Sequence, residues 1–361
     1  MDRRSFLGAG MAGAAGFALG HSLPQGAWAA EPEHDWKMVL AWPKNFPGLG
    51  TGSARLAERI MAMSGGRIRI KIYGGGELIP PFECFDAVRE NKIECAHTTP
   101  YYWMNKNRSF AFFTGVPAGL TAMEQNAWIL HAGGQALWDE SYAEFGVKGL
   151  LAGNTSVQMF GWFRKEINSL DDLKGLKMRI AGLAGEVFNR IGGTAVSLPG
   201  SEIMPALQSG VIDAAEWIGP YNDLAFGFHK IADYYYGPGF HEGGSTAEFM
   251  INKALWDTLP EDLQMVVEAA CLTENAQMHA EMAAYNIGSM KVLVEKHGVE
   301  LRQLPDEVTS RLNRLSLEVL AETADDGDIN RRIYESWIAF RKKAIDYAPL
   351  SDFGFERARA L

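Results

Sequence analysis

Two α/β domains followed by helical additions at the C-terminal end are what this sequence predicts, and three observations carry the prediction. The chain has 361 residues, too many for one ordinary core and about right for two domains of roughly 150 residues each. From residue 36 to about residue 250, short strand-like runs alternate with helical patterns, the mark of sheets joined by helical crossovers. Beyond Phe249 the alternation stops and helical periodicity takes over.

Composition agrees with a well-packed chain: 47% hydrophobic and 22% charged residues, with 10 Trp and 19 Phe. The formal net charge is −10 and no basic run exceeds Arg341-Lys342-Lys343, which argues against a nucleic-acid surface. Cys84, Cys95 and Cys271 are odd in number and lack metal spacing, so they read as free thiols. HEGGS at 241–245 has serine where a second histidine would complete H-E-x-x-H, which leaves zinc chemistry no foothold.

The elements follow in order. A strand at 36–42 leads through a glycine-rich turn to a helix at 54–63. GRIRIKIY at 66–73 alternates basic and apolar residues, a strand with one wet face, and Gly74-Gly75-Gly76 ends it. A helix at 81–90 and a run at 93–98 complete a βαβαβ series. The second unit opens near Gly153 with a strand at 157–163, a capped helical turn at 169–175, and a strand at 176–180. A helix at 186–191 and a strand at 195–198 come next. Ser201 is expected to cap a helix through Gln208 that stops at Gly210. The run 211–215 then reads as a strand whose carboxyl end presents Glu216, and open α/β sheets meet their ligands at that end. Helices follow at 255–294 and 307–347. Ile329, Ile333, Trp337, Phe340, Ala344 and Tyr347 advance by fours and threes and give the terminal helix one apolar face. That face, with Phe353 and Phe355 beyond it, leaves dimerisation open.

The amino terminus carries its own signal. DRRSFL at 2–7 precedes a Gly/Ala-rich apolar run to Leu19, and Ala27-Trp28-Ala29 supplies the small residues before a cleavage point. Residues 1–29 therefore read as a twin-arginine export signal, and the mature protein is expected in the periplasm. Gly8, Gly10 and Gly13 match G-x-G-x-x-G, but no strand precedes them, so they are rejected as a dinucleotide site. No other segment has the eighteen or so unbroken apolar residues of a membrane span.

DLKGLKMR at 172–179, followed by LPGSEIMPALQSGVIDAAE at 198–216, resembles the solute-binding proteins of TRAP transporters, the DctP-like family. NKALW at 252–256 with LPED at 259–262 extends the likeness over most of the chain. Ala214 stands where the family usually has glycine, and Trp217 where asparagine commonly follows the glutamate. Both departures resemble the branch that binds 2-oxoacids together with a metal ion. The resemblance implies a two-domain periplasmic-binding-protein clamshell with a long C-terminal helix. Its first domain would comprise 30–155 plus about 246–300, its second 156–245 plus about 301–328, with 329–361 as a helix and tail. A TRAP membrane permease is the implied partner.

The resemblance also implies a site. Arg179 would grip the ligand carboxylate, a task suited to a planar fork that stays charged when desolvated. Glu216, Glu242, Gln158 and the main-chain carbonyl of Trp217 would hold a cation, and oxygen-only ligation selects a hard ion such as Na⁺ or Ca²⁺. Gln158 would also touch the substrate. Tyr101, Trp217 and Phe249 are candidate apolar walls, although aromatics in a chain this rich in them more often belong to the core. Two glutamates and a ligand carboxylate against one arginine leave −2, balanced by Ca²⁺ and half balanced by Na⁺. The sodium coupling of the family nevertheless favours Na⁺, with Ca²⁺ as the alternative.

The expected function is capture of a small 2-oxoacid such as pyruvate without chemistry. Lactate or another small carboxylate on the same scaffold is the neighbouring alternative. A metal-dependent 2-oxoacid enzyme is the alternative from another class; against it, no Ser/His/Asp or Lys base stands at a motif of its own.

Overall fold

Alternating sequence builds the first sheet. In IRIKIY, Ile68 and Ile70 point into the core while Arg69 and Lys71 face solvent, giving β2 (Ile68–Tyr73). It pairs in parallel with β1 (His34–Leu40), from His34 opposite Ile68 to Val39 opposite Tyr73. Strands are numbered along the chain of this computed structural model, which describes residues 31–361; the export signal read at 1–29 lies outside the described residues. β3 (Cys95–Thr98) continues the parallel set, and β10 (Thr246–Asn252) lies antiparallel between β3 and β4 (Val147–Asn154). The order is β2-β1-β3-β10-β4.

The second sheet has six short strands: β5 (Gly161–Phe163), β6 (Lys177–Arg179), β7 (Thr194–Val196), β8 (Ala214–Ala215), β9 (Tyr234–Tyr236) and β11 (Glu300–Arg302). Their order is β11-β9-β5-β8-β6-β7. The chain passes between the sheets at 155–160 and at 237–245, and these crossings run together, with Gln158 N–H donating to Glu242 O at 3.2 Å and Gly239 N–H to Gln158 O at 2.8 Å. The result is the two-lobed α/β clamshell with long C-terminal helices.

The longest element is the helix Glu261–His297, stopped by Gly298 in the left-handed conformation that glycine adopts without penalty. It packs on β4 and on the helix Leu49–Met63 beside the first sheet, and on the helix Pro220–Phe226 beside the second. Buried Glu274 fastens the first contact, accepting from Arg55 at 2.7 Å and Arg59 at 3.1 Å. Further along, Asn286 Oδ1 accepts from Tyr221 N–H at 3.0 Å, and Tyr285 stacks on Tyr221.

Several sequence expectations change. The run 157–163 is strand only at Gly161–Phe163, because residues before it make the crossing, with Ser156 at φ 64°. The run 211–215 pairs only at Ala214–Ala215, and Val211 is exposed. Ser201 does not cap its helix; that helix is Gly200–Ser209, with Pro199 at the cap position and Gly210 stopping it at φ 75°. The helix read at 307–347 is broken into Asp306–Glu322, a tight turn Thr323–Asp326, and Asp328–Tyr347, with Gly327 at φ 128° where an L side chain would be strained. The first piece packs on the helix Leu183–Arg190 of the second lobe and the other on Gly134–Ala143 of the first. Ile333 and Trp337 are fully buried there, so most of the apolar stripe serves its own fold, while Tyr347, Leu350, Phe353 and Phe355 are exposed. The three cysteines are free and buried. No described helix is long and apolar enough to cross a membrane.

Glu248, fully buried in β10, accepts from Thr98 Oγ1 and Trp103 Nε1 at 2.9 Å and from Tyr142 OH at 3.0 Å. Burial pushes its carboxyl up to about 7 despite these donors. The unfolded chain therefore releases this proton first as pH rises, so Glu248 stabilises the fold fully below about 4.5 and loses that contribution through pH 7. Glu248→Gln should remove a fall on the order of 3 kcal/mol between pH 4.5 and 7. Denaturant unfolding of the ligand-free protein across this range checks it.

Candidate functional site

β6 and β8 run in parallel with Arg179 opposite Ala215, so Arg179 and the next residue of β8's chain, Glu216, leave the sheet side by side at its carboxyl end. Small Ala214 and Ala215 are completely buried, and bulk there would separate the strands. Arg179 Nη1 donates to Glu216 Oε1 at 2.5 Å and to Glu216 O at 3.1 Å, while Nε donates to Leu198 O at 3.0 Å. The guanidinium also lies over the Trp217 ring, 5.1 Å from its centroid. The Arg179 and Glu216 side chains are each 1% exposed.

Glu216 is used asymmetrically. Oε1 takes Arg179 and the Ala181 N–H at 3.1 Å, whereas Oε2 has no hydrogen bond and faces His241 Nε2 at 3.6 Å. Burial alone would raise its pKa, but Arg179, then His241 and the Ala181 amide, outweigh burial and hold the carboxyl below its ordinary value. Glu242 has less help: burial and the neighbouring Glu216 charge push it up to about 7, against a lowering pull from His241. His241 is itself raised, because Glu216 and Glu242 overcome the burial that disfavours its cation.

Gln158 arrives on the first crossing segment. Its Nε2 donates to Thr155 Oγ1 at 3.1 Å, which fixes the amide and leaves Oε1 buried without a donor. Among the described residues Glu242 Oε2 and Gln158 Oε1 thus have no hydrogen-bond donor, and Glu216 Oε2 has only His241 Nε2 at 3.6 Å. Such groups are costly in isolation and suited to a hard cation, which satisfies acceptors without supplying a proton. Among the described residues no group of three His, Cys, Asp or Glu side chains could hold a metal ion, so a cation here would need amide or main-chain oxygens as well.

A cavity of about 20 Å³ lies beside this cluster, with Trp42, Leu49, Tyr101 and Tyr102 from the first lobe, Trp217 and Ile218 from the second, and Gln158 on the crossing. That is room for about one water molecule, so the two lobes meet closely here. Gly182 shows how tight the closure is: at φ 65° and ψ −159°, a Cβ there would lie 2.7 Å from the Tyr101 ring. Gly182→Ala should therefore cost about 1–3 kcal/mol and weaken ligand affinity, measured by thermal unfolding and calorimetry.

The structure brings Arg179, Glu216, Trp217, Gln158, Glu242 and Tyr101 together. Phe249 is the correction. It is fully buried in the core, flanked across the ladder by His97 and Leu150. β10 borders the cavity only at Thr246 and Ala247, and by Phe249 the strand is covered on both edges. Sequence reasoning missed His241, set aside with the failed zinc pattern, and Tyr102, Trp42, Leu49 and Thr155, which belong to no motif. The Tyr101-Tyr102 doublet after β3 was the one available signal.

The sequence pattern of bacterial extracellular solute-binding protein, family 7, matches residues 40–326. The chain belongs to that family. This family-7 protein is 39% identical over 328 residues to the monocarboxylate 2-oxoacid-binding periplasmic protein of Nostoc sp. PCC 7120, covering 91% of this chain and 90% of the relative. A TRAP transporter solute-binding protein of Bordetella bronchiseptica, a mixed-occupancy dimer with copurified calcium and picolinate in one site, superposes with a TM-score of 0.88 at 34% identity, over 92% of this chain and 100% of that one. A TRAP periplasmic solute-binding protein of Pseudoalteromonas atlantica with bound sodium and pyruvate gives 0.86 at 37%, over 90% and 98%. The family-7 proteins are transport binding proteins that work outside the cytoplasm.

Proposed function

We propose that this protein captures a small 2-oxoacid, pyruvate or a near relation, in the periplasm and delivers it to a TRAP membrane permease without altering it. The observation that carries the reading is the set of three buried oxygens short of hydrogen-bond donors among the described residues, Glu216 Oε2, Glu242 Oε2 and Gln158 Oε1, beside a buried guanidinium. Those oxygens and the Trp217 carbonyl would hold sodium, or alternatively calcium, and the cation would supply the charge that two glutamates and a ligand carboxylate lack. Arg179 already engages Leu198 and Glu216 through Nε and Nη1, and its remaining nitrogen, Nη2, is proposed for the ligand carboxylate. Tyr101 and Trp217 close apolar surface over the ligand and exclude water.

The relatives support the ligand class. Pyruvate and picolinate both place a carboxylate next to a second donor atom, which permits a five-membered chelate on a metal. Lactate offers a hydroxyl at that position, which closes a ring of the same size, and it remains the neighbouring alternative. Against an enzymatic reading stand the relatives, which are transport binding proteins. The units proposed to close are 30–155 with about 246–300 and 156–245 with about 301–328, and a twin-arginine signal at 1–29 is the proposed route of export. Exposed Tyr347, Leu350, Phe353 and Phe355 at the C-terminal end support a homodimer through that helix, tested by light scattering of wild type against Phe353→Ser/Phe355→Ser.

Calorimetric titration of ligand-free protein with pyruvate, with recovery of the acid afterwards, tests the main reading. Stoichiometric binding with pyruvate returned unchanged is expected. Absence of binding, or consumption of pyruvate, would overturn it.

A further inference from the structure

Two residues outside the charged cluster hold one wall of the cavity. Trp42 follows β1 and Leu49 begins the first helix; both line the cavity and both are tied to Ser53, one turn into that helix. Trp42 Nε1–H donates to Ser53 Oγ at 3.1 Å, and Ser53 Oγ lies 2.7 Å from Leu49 O. Ser53 Oγ is also 2.9 Å from His97 Nδ1, and His97 Nε2 is 3.0 Å from Ala152 O in β4. A carbonyl only accepts, so Nε2 carries the proton and donates to Ala152. Burial holds His97 neutral, with its pKa lowered to about 4, so Nδ1 is left as an acceptor and competes with Leu49 O for the single Ser53 hydroxyl hydrogen. The imidazole also meets the Trp42 indole edge to face, with centroids 5.0 Å apart. Ser53 and His97 are fully buried, and the strand that carries His97 is paired on both sides. The indole is therefore held through its N–H and through its ring contact with His97.

We propose that Ser53 and His97 are positioning residues that lock Trp42, which with Leu49 forms an apolar wall of the cavity, and that this wall limits the ligand to a side chain of about one methyl group. The proposal rests on the 2-oxoacid reading above. A wall anchored to the first sheet cannot yield as an unanchored side chain would. Trp217, on the opposite lobe, is held differently: among the described residues its indole N–H has no partner, and its ring lies against Arg179 and Phe226.

The test compares dissociation constants for pyruvate and 2-oxobutyrate in the wild type, Ser53→Ala, Trp42→Phe and the double variant. The wild type should prefer pyruvate by about tenfold or more, the scale set by one methylene in an apolar pocket. Ser53→Ala should cut that preference several-fold, Trp42→Phe should do likewise through loss of the indole N–H, and the double variant should add little to either alone. A preference within about twofold of wild type in every variant that folds, or fully additive effects, would overturn the inference while leaving the 2-oxoacid reading intact. If Ser53→Ala does not fold, an unchanged preference in Trp42→Phe overturns it alone. A wild type that binds neither acid would bring down both.

Discussion

Replacing Arg179 with alanine should abolish 2-oxoacid binding and also destabilise the ligand-free protein by about 3–5 kcal/mol, the cost of leaving a buried charge without its partner. A guanidinium that served only the ligand could be removed at little cost to the fold. Here Arg179 is 1% exposed and supplies the main attraction that keeps Glu216 ionised. Removing it strands Glu216 with the Ala181 amide and a His241 contact at 3.6 Å. Denaturant unfolding of the apo-protein reads the stability loss, and calorimetry reads the binding loss. Arg179→Met/Glu216→Leu should recover much of the stability without recovering binding, because a well-packed apolar pair can replace a buried ion pair. An Arg179→Ala apo-protein as stable as wild type would show that Glu216 finds its compensation elsewhere.

Withdrawing cations should be nearly as severe. Exchange of sodium for choline in the presence of a chelator is expected to weaken pyruvate binding by about a hundredfold or more, since an uncompensated carboxylate entering beside Glu216 and Glu242 meets like charge in a dry site. Arg179 cannot offset this alone, being already committed to Glu216. Adding back sodium and calcium separately identifies the ion by the recovery of affinity. Full-strength binding in choline and chelator would remove the cation from the proposal.

How far the sequence could be read depended on whether a residue's task is local. β2 was plain because each residue's burial follows its own polarity, and Gly210 and Gly298 stop helices by a backbone conformation that needs no distant partner. The crossings were misread where tertiary geometry overrode strand-like composition: Val157 and Met159 look like strand residues, yet that stretch is held by bonds to Glu242 and Ile218 from a remote part of the chain. Arg179 and Glu216 were found through strings of neighbours, and parallel pairing of β6 with β8 then accounts for their meeting. His241, Trp42 and Leu49 had no such string. Phe249 was misplaced because an aromatic near the site in sequence looks the same whether it borders the ligand or fills the interior, and only the pairing of β10 with β3 and β4 decides between them.

The helix Glu261–His297 has a mechanical corollary. Its fastening to the first lobe at Glu274 and to the second at Asn286 are separated by about 18 Å of unbroken helix, at 1.5 Å per residue. A rod of fixed length pinned at two points cannot stretch, so along that flank the halves keep their spacing and must pivot about it like covers about a spine. The gap then widens on the far side alone, and a membrane partner that senses whether cargo is aboard would read the width of that outer edge, where a small rotation makes the greatest displacement.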